Sequence, residues 1–381
     1  MKAIILVGGQ GTRLRPLTNS TPKPLLPLLN RPFLDHVLFL LKTHGITDII
    51  LAVGYRSESF EPAYGDGSHL GVKLTYVKED KPLDTGWAIK NVEQHLDRGE
   101  TFLVFNGDVL TDLDLTDMVR FHRENGSLCT ISLTPVEDVS SYGVVEVDEE
   151  GRVQRFLEKP KPGTTESKWI NAGTYVMDTD VLDYISEPRF LDEIPAGRPY
   201  SVEYGLFPKL LQEGRPLYGY RSGAYWLDMG TPERYLQAQN DLLIGRLKYS
   251  LEPEGEKVQD GVWAGEGTFI DKGARLTGPV VLGKGCRLRA NSAVTGPASL
   301  GDGCHVEKQA QVENVIAFSD VTFGAASKSS ESLFGHGAMI GEECDISGMT
   351  IVGDNATVSA TNRLSGGRVE IGAVVPTLSD E

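Results

Sequence analysis

The chain has 381 residues, enough for two domains of ordinary size, and its 40% hydrophobic and 24% charged content is typical of a globular protein. Its formal net charge of −16 makes the phosphate backbone of a nucleic acid an unfavourable partner. The sequence contains no run of about 18 apolar residues, so it predicts neither a membrane-spanning helix nor a membrane partner.

Four widely spaced cysteines, Cys129, Cys286, Cys304 and Cys344, form no Cys-x-x-Cys pair. We expect them to be free cysteines with small buried side chains, as is typical of proteins in a reducing compartment. The N-terminal apolar segment Met1–Val7 is shorter than the apolar part of a signal peptide and has no cleavage site. The sequence therefore predicts a cytoplasmic protein.

The first part of the chain alternates strand-like and helix-like segments. Apolar runs predict strands at Lys2–Val7, Asp48–Val53, Val72–Lys78 and Thr101–Phe105, and helical spacing predicts helices at Phe33–His44 and Pro232–Leu247. This order indicates an α/β fold, with a Rossmann-like and mostly parallel sheet covered by helices. Such sheets bind ligands at the carboxyl ends of their strands, where Gly8–Leu14 and Asn106–Asp108 fall.

The periodicity changes in the last third of the chain. Aliphatic residues recur at a step of six, first at Ile270, Leu276, Leu282, Leu288, Val294, Leu300, Val306 and Val312, then at Ile340, Ile346, Val352 and Val358. This repeat predicts a left-handed parallel β-helix, with one hexapeptide on each flat side and the aliphatic residue pointing inward. The step from Val312 to Ile340 is not a multiple of six, which predicts an insertion around Ser319–Ser332. We expect a catalytic domain at 1–248, a linker at 249–260 and the β-helix at 261–381.

The glycine-rich loop Gly8–Leu14 leaves the first strand, so its backbone N–H groups can face phosphate oxygens without obstruction by side chains. It is not a Rossmann fingerprint, because the sixth position counted from Gly9 is Leu14 rather than glycine. It is not a Walker A loop either, because it lacks the terminal Gly-Lys-Ser/Thr. The loop therefore binds phosphate in a third way.

Seven motifs occur in one order along the first domain. They are Gly8–Thr18 with Pro22–Leu25, Asn106–Asp108, Tyr142–Val144, Glu158–Pro160, Asn171–Gly173 and Trp226–Pro232. Together they resemble the signature of sugar-1-phosphate nucleotidyltransferases, and the β-helix accompanies the mannose-1-phosphate guanylyltransferase branch of that family. The resemblance implies that a nucleoside triphosphate and a sugar 1-phosphate form a nucleotide sugar and pyrophosphate.

In that reaction positioning and electrostatics dominate over proton transfer. The resemblance implies catalytic roles for Arg13, Lys23, Asp108, Lys159 and Asp228. Arg13 would contact the pyrophosphate, and Lys159 would hold the sugar phosphate. Asp108 and Asp228 would hold Mg²⁺, which takes one or two carboxylates and completes its shell with phosphate and water.

The remaining candidate residues fall into two sets. The predicted nucleotide-binding residues are Leu6, Gly8, Gly9, Gly11, Thr12, Glu79, Thr85, Gly86 and Asp108. The predicted sugar-phosphate-binding residues are Tyr142, Gly143, Glu158, Lys159, Asn171, Gly173 and Glu203.

The base is predicted from the stretch Glu79–Ala88. Guanine presents N1–H and N2–H₂ side by side, and one carboxylate can accept both, so Glu79 favours GTP. Thymidine- and uridine-using relatives tend to have glutamine there. The guanylyl branch typically reads Leu-Gly-Thr-Ala-Gly where this chain has Leu83-Asp84-Thr85-Gly86-Trp87. Mannose 1-phosphate follows from the resemblance alone.

Several alternatives remain open at this point. The substrates could be glucose 1-phosphate with UTP or dTTP, or a heptose 1-phosphate with GTP. The chain could also be a non-catalytic regulatory paralogue that binds a nucleotide sugar. An acyltransferase site on the β-helix would have to use His305 or His336, the only histidines there. The flat walls and open ends of the β-helix also suit self-association, which predicts a homo-oligomer.

Overall fold

The structure, a computed structural model, describes residues 1–79, 83–185 and 200–377. Its α-helices are α1 (Phe33–Thr43), α2 (Phe60–Tyr64), α3 (Asp84–Asn91), α4 (Leu115–Glu124), α5 (Phe207–Gln212) and α6 (Pro232–Leu243). The strands of this part of the chain are β1 (Lys2–Leu6), β2 (Pro27–Leu28), β3 (Arg31–Pro32), β4 (Asp48–Val53), β5 (Lys73–Lys78), β6 (Thr101–Asn106), β7 (Val109–Thr111), β8 (Cys129–Pro135), β9 (Gly143–Val147), β10 (Val153–Glu158), β11 (Trp169–Asp178), β12 (Leu217–Arg221) and β13 (Trp226–Asp228).

The chain forms two compact units. The first contains Met1–Gly9 and Val37–Trp226, and the second contains Gln10–His36 and the residues from Leu227 onward. The domain limits at 248 and 260 stay predictions. Among the described residues, no helix is both long enough and apolar enough to cross a membrane.

The first unit is built on a mixed sheet with the strand order β10-β9-β11-β6-β1-β4-β5. The four strands β6, β1, β4 and β5 are parallel, which confirms the parallel sheet predicted for the start of the chain. Antiparallel pairing of β11 with β6 extends the sheet on one side, and β8 joins β11 to β12. The carboxyl ends of the four parallel strands therefore meet at one edge.

The predicted strand limits agree with the structure to within one residue. Strands β1, β4 and β6 are buried on both faces of the sheet, whereas the edge strand β5 alternates between buried and more exposed residues. Ile4, Ile50 and Val104 are 0–1% exposed. They belong to one apolar cluster with Tyr175 and Phe207. This packing fixes the edge from which the phosphate loop leaves the sheet.

The second unit contains the parallel β-helix that the six-residue repeat predicts. Its strands are β14 (Glu256–Gln259), β15 (Val262–Ala264), β16 (Phe269–Ile270), β17 (Arg275–Thr277), β18 (Val280–Leu282), β19 (Arg287–Leu288), β20 (Ala293–Thr295), β21 (Ala298–Leu300), β22 (His305–Val306), β23 (Gln311–Ala317), β24 (Thr322–Phe323), β25 (Lys328–Phe334), β26 (Met339–Ile340), β27 (Asp345–Ser347), β28 (Ile351–Val352), β29 (Thr357–Val358), β30 (Arg363–Ser365), β31 (Arg368–Val369) and β32 (Val374–Val375). They form three parallel stacks, and only β14, inside the predicted linker, pairs antiparallel among these described strands.

The predicted insertion around Ser319–Ser332 is wrong, and the phase shift has the opposite cause. Ile270 pairs with Leu288, 18 residues further on, whereas Val306 pairs with Phe323 and Phe323 with Ile340, 17 residues further on in each case. Two coils are therefore one residue short. Each residue is lost at a corner inside a long strand, where Asn314 (φ 49°) and Glu331 (φ 45°) adopt left-handed backbone conformations.

Helix α6 packs on the β-helix within the second unit. Gln239 is fully buried, donates from Nε2 to the Val315 carbonyl at 3.0 Å and accepts a hydrogen bond from Ser299. The helix ends at Leu243, four residues before the predicted end, because Gly245 adopts φ 72° beyond its last turn. The buried Gln239 side chain thus joins the helix to two coils, by donating one hydrogen bond and accepting another.

Phe334 lies in one of the shortened coils, and its side chain packs in the core of the β-helix. Its ring is 0% exposed and packs edge-on against Phe323 at 5.1 Å between centroids. We expect Phe334→Ala to lower the free energy of unfolding by about 3–5 kcal/mol, because it leaves a cavity in a dry core. Urea unfolding followed by far-UV circular dichroism measures this.

The matched control is Phe269→Ala on the outer wall, where the side chain is 53% exposed. We expect that change to cost less than about 0.5 kcal/mol. Equal losses for the two variants would contradict the inward placement of Phe334.

Candidate active site

The phosphate loop begins where β1 leaves the sheet in the first unit. The Val7 amide still donates to the Ala52 carbonyl at 3.0 Å, and the Gly8 carbonyl accepts from the Tyr55 amide at 3.4 Å. Beyond these bonds, a β-carbon at Gly9 would meet no atom of the described chain within 4 Å. The backbone at Gly9 is therefore open to an approaching ligand.

Asp108 is placed by the turn that follows β6. The Gly107 amide donates to the Leu6 carbonyl at 2.9 Å, and a β-carbon at Gly107 would lie only 2.6 Å from that oxygen. This close approach requires glycine and brings the half-buried Asp108 to the end of β1. Leu6, the start of the loop at Gly8 and Gly9, and Asp108 therefore lie at the same carboxyl edge of the sheet.

Glu79 lies over the phosphate loop. Its Oε1 would be 3.3 Å from a β-carbon at Gly8, and its Oε2 accepts from the Leu83 amide at 3.3 Å. Burial raises the pKa of Glu79 above its ordinary value, and the Leu83 amide partly offsets this effect. Residues 80–82 of the predicted base-reading stretch lie outside the described residues.

Asp84 and Thr85 open α3. Asp84 adopts φ 61°, the left-handed region that favours the glycine expected at this position, and its carboxylate accepts from the Thr85 amide at 2.8 Å. The Thr85 hydroxyl donates to Glu203 at 3.2 Å and accepts from the Val202 amide at 3.0 Å. A hydrogen bond therefore links Thr85, a predicted nucleotide-binding residue, to Glu203, a predicted sugar-phosphate-binding residue.

Gly86 and Trp87 are anchored by Tyr200, a residue that the sequence did not single out. The Tyr200 carbonyl accepts from the Gly86 and Trp87 amides at 3.0 and 3.3 Å. A β-carbon at Gly86 would lie 2.3 Å from the Tyr200 ring. The Trp87 ring stacks on Tyr200, with 5.9 Å between centroids and 19° between planes. The large side chain at position 87 is thus packed into the protein.

The predicted sugar-phosphate residues gather around the ends of β9 and β10. The Glu158 carboxylate lies 3.6 Å from the Lys159 ammonium and would be 2.8 Å from a β-carbon at Gly143. The Lys159 amide donates to the Tyr142 carbonyl at 3.0 Å. Burial raises the pKa of Glu158, and Lys159 opposes this shift. The Lys159 ammonium remains largely exposed and accessible to an anion.

Asn171 and Gly173 connect this group to the end of β6. The Asn171 amide nitrogen donates to the Tyr175 hydroxyl at 2.9 Å, and its oxygen accepts from the Gly173 amide at 3.0 Å. A β-carbon at Gly173 would lie 2.7 Å from the Asn106 amide nitrogen. Burial raises the pKa of Glu203, and the nearby Glu158 charge adds to the shift. One continuous wall thus contains the predicted sugar residues of the first unit.

In the second unit, Gly11 starts a tight turn that carries Thr12 and Arg13. Gly11 adopts φ 60°, and its carbonyl accepts from the Thr18 hydroxyl at 2.8 Å. A β-carbon there would lie 3.0 Å from the Thr18 methyl group and 3.2 Å from the Lys23 β-carbon. Both the backbone conformation and the space therefore require glycine at this position.

Three cations surround the Asp228 carboxylate in this unit. The buried Lys23 ammonium lies 3.7 Å from Oδ1, and the Arg234 guanidinium lies 3.6 Å from Oδ2. Arg13 is adjacent, since a β-carbon at Gly230 would lie 2.6 Å from its Nη2 and 3.1 Å from Asp228 Oδ1. Three positive charges around one carboxylate form a cluster suited to phosphate oxygens.

Sequence reasoning missed Arg234 in this cluster. It lies in the first turn of α6, after the N-cap Thr231 and Pro232. The helix dipole disfavours a cation at this end, so an arginine in the first turn is a signal for a nearby anion. That signal becomes informative only once Asp228 is known to be the partner.

The fold and these groups define a class of protein. A parallel sheet with an open glycine loop at its carboxyl edge, and a fixed cluster of arginine and lysine, are features of an enzyme that handles nucleotide phosphates. Residues 2–244 match the family model described as nucleotidyl transferase. Residues 276–371 match the model described as GMPPB C-terminal domain. The chain belongs to the nucleotidyl transferase family and is an enzyme of that kind.

Similar proteins carry related names. The chain is 43% identical over 284 residues to a mannose-1-phosphate guanylyltransferase of Mycobacterium tuberculosis, covering 72% of this chain and 76% of the relative. It is 37% identical over 277 residues to a UTP–glucose-1-phosphate uridylyltransferase of Synechocystis, covering 70% and 69%. The crystal structure of HddC from Yersinia pseudotuberculosis complexed with GMP-PN has a TM-score of 0.51 at 28% identity, covering 62% and 97%.

The open backbone at Gly9 yields a direct prediction. We expect Gly9→Ala to raise the KM for the nucleoside triphosphate about tenfold without changing the melting temperature, because its methyl group enters the ligand's space and meets no described protein atom. Steady-state pyrophosphate release measures this. Gly223→Ala is the control, since a β-carbon at Gly223 also meets nothing within 4 Å. A lower melting temperature with an unchanged KM for Gly9→Ala would contradict the assignment.

Proposed function

We propose that this enzyme transfers a guanylyl group from GTP to mannose 1-phosphate, giving GDP-mannose and pyrophosphate. The observation that carries the proposal is the Glu79 carboxylate, which lies directly over Gly8 at the start of the phosphate loop. A nucleotide that binds with its phosphates at the start of that loop would have its base close to this carboxylate. The names of the Mycobacterium relative and of the HddC complex with GMP-PN support guanine and mannose.

The choice of guanine rests on hydrogen-bond chemistry. An ionised carboxylate only accepts hydrogen bonds, and guanine offers N1–H and N2–H₂ on one edge. Uracil and thymine offer one N–H between two carbonyl groups, which a carboxylate repels. UTP with glucose 1-phosphate is the second candidate, since the Synechocystis relative carries that name.

The chemistry we propose is an in-line displacement. An oxygen of the sugar phosphate forms a bond to the α-phosphorus of the triphosphate, while the bond from that phosphorus to the oxygen bridging to the β-phosphate breaks. Negative charge collects on the departing pyrophosphate, so fixed cations lower the barrier. Arg13 would stabilise this charge with a planar fork of donors. Lys23 and Arg234 would add two further positive charges around Asp228.

The sugar 1-phosphate would bind to the wall formed by the ends of β9, β10 and β11. The exposed ammonium of Lys159 suits the phosphate, and Glu158 suits sugar hydroxyls as an acceptor. Asn171 would add an amide, and Tyr142 packs edge-on against Trp226 at 5.7 Å to shape the wall. Self-association through the β-helix, and any regulatory role for it, stay predictions from the sequence.

Mg²⁺ is the cofactor we propose. Among the described residues, no group of three or more His, Cys, Asp and Glu could hold a metal ion. Mg²⁺ needs only one or two carboxylates when phosphate oxygens and water complete its shell, so either Asp108, in the first unit, or Asp228, in the second, can serve as a donor. When bound, it supplies positive charge against the departing pyrophosphate. That both aspartates bind one ion stays a prediction from the sequence.

Exchange of Glu79 for glutamine tests the base assignment. We expect Glu79→Gln to lower kcat/KM for GTP about 10- to 100-fold and to raise the relative activity with UTP or dTTP, because it removes a charge-assisted pair of acceptors. Pyrophosphate release across the four nucleotides measures this, with the exposed Glu58→Gln as control. Activity with dTTP and none with GTP in the wild type would contradict the proposal.

The KM for GTP should depend on pH through Glu79 in the wild type but not in the Glu79→Gln variant. Burial raises the pKa of Glu79, and guanine binding needs its ionised form. We therefore expect the KM for GTP of the wild type to rise as the pH falls through that raised pKa. The Glu79→Gln variant should lack this rise, while protonation of GTP itself affects both enzymes equally. Parallel profiles for the two enzymes would show that Glu79 does not contact the base.

Neutralisation of the two aspartates tests the metal assignment. We expect Asp108→Asn and Asp228→Asn each to lower Mg²⁺-dependent kcat at least about 100-fold, because each removes an anionic oxygen donor. Circular dichroism should show an intact fold, and the exposed Asp260→Asn should remain active. Near-normal turnover of either variant would refute its role as a metal ligand.

A further inference from the structure

We propose that Arg368 and Asp354 of the β-helix are positioning residues for catalysis, because they hold the segment Gly11–Ser20 in the place that Arg13 requires. We call Gly11–Ser20 the arginine segment. All of these residues belong to the second compact unit. The proposal rests on the proposed function to the extent that Arg13 contacts the pyrophosphate.

The first contact is made by Arg368, on strand β31 of the β-helix. Its Nη2 donates to the main-chain carbonyl oxygen of Arg13 at 2.7 Å. The bond is charge-assisted, so it is stronger and shorter than a neutral bond. It is made to the backbone, which fixes the position from which the Arg13 side chain extends and leaves its guanidinium available for phosphate.

The second contact is made by Asp354 at the other end of the segment. The Ser20 hydroxyl donates to Asp354 Oδ2 at 2.5 Å. Asp354 is only 7% exposed, and its Oδ1 accepts from the His336 amide at 2.9 Å. The carboxylate is thus held by one coil of the β-helix and binds the segment with its other oxygen.

The two contacts are linked through the segment itself. Thr18 lies two residues before Ser20, and its hydroxyl donates to the Gly11 carbonyl at 2.8 Å. The Leu14 amide donates to the same carbonyl at 2.9 Å, which closes the short turn that carries Arg13. The β-helix therefore fixes Arg13 directly through its carbonyl and indirectly through Ser20 and Thr18.

The segment needs such support because its own structure is weak. It contains two short 3₁₀ turns, Thr12–Leu14 and Leu17–Asn19, and neither has a side-chain cap. Turns of this kind have poor hydrogen-bond geometry and little intrinsic stability. A shift of about 1 Å in a charged group can cost about 100-fold in rate. Contacts from a rigid solenoid are a physical means of preventing that shift.

Four variants test the proposal in the full-length enzyme. Arg368→Ala removes the first contact, and Ser20→Ala removes the second from the segment side, leaving the β-helix sequence unchanged. Arg368→Lys restores a donor and a charge and is the conservative rescue. Arg363→Ala is the matched control, because Arg363 is an exposed arginine on the preceding strand β30.

Hydrogen exchange is the first measurement, since it does not depend on substrates. We expect peptides covering residues 11–20 to exchange at least about threefold faster in Arg368→Ala and in Ser20→Ala than in the wild type. The Arg363→Ala control and the rest of the β-helix should be unchanged, as should the melting temperature of the Arg368 variants. Wild-type exchange of this segment in both variants would overturn the proposal.

Kinetics separate positioning from a purely structural role. We expect Arg368→Ala to lower kcat about tenfold and to raise the KM for GTP, while the KM for mannose 1-phosphate stays within about twofold of the wild type. Arg368→Lys should recover most of the loss. In an Arg13→Lys background the Arg368→Ala change should have little further effect, because both act through one group.

The outcomes distinguish the two proposals. A wild-type enzyme that releases no pyrophosphate with any nucleotide and sugar phosphate would refute the proposed function, and the exchange rates and GTP affinity would still decide the positioning role. Faster exchange with unchanged kinetics in an active enzyme would overturn the positioning role alone. Equal increases in both KM values, or additive losses with Arg13→Lys, would also overturn it.

Discussion

The ion pair between Lys23 and Asp228 is the interaction on which the cation cluster depends. The chain carries a net charge of −16, yet it holds several positive groups in the cluster where we propose that phosphate binds. A buried ammonium is costly unless it has a close counter-charge, and Asp228 supplies one at 3.7 Å. Because Arg13 and Arg234 are also near this carboxylate, the cluster keeps a surplus of positive charge. Its cations are thus fixed in place and still attractive to an anion.

The two units contribute different chemistry. The first provides backbone and acceptors: an open glycine at position 9, the Glu79 carboxylate above the loop, and a wall of polar groups around Glu158. The second provides fixed cations held by turns and by the β-helix. Backbone N–H groups and guanidinium groups both bind phosphate. The sheet holds the backbone groups in place directly, whereas a guanidinium group lies at the end of a long side chain. The second unit therefore needs additional contacts to keep its arginine in place.

Much of the fold follows from local patterns in the sequence. Three of the four parallel strands, β1, β4 and β6, were predictable because they are buried on both faces and read as apolar runs, and the β-helix because each side repeats one inward aliphatic residue. The phase shift was misread because the small Ala317, the aromatic Phe323 and the polar Ser329 occupy register positions that hold Leu300, Val306 and Val312 in the coil before. The Tyr200 anchor of Trp87 was missed because the two residues are distant in sequence, and no local pattern encodes such a contact. Arg234 lies only six residues after Asp228, but it was missed because the turn between β13 and α6 that brings the two side chains together is not evident from the sequence.

The number of coils in the β-helix sets how far along its axis each residue lies. Arg368 stands on a stack that runs through β15, β18, β21, β23, β25, β28 and β31. Each rung adds about 4.8 Å along the axis, so one additional coil inserted below it would carry Arg368 out of reach of a hydrogen bond. A residue removed at a corner leaves the rung count intact, as the two 17-residue coils show. Variation in length is therefore tolerable at corners and beyond the last contact, whereas the number of rungs before it is fixed by geometry.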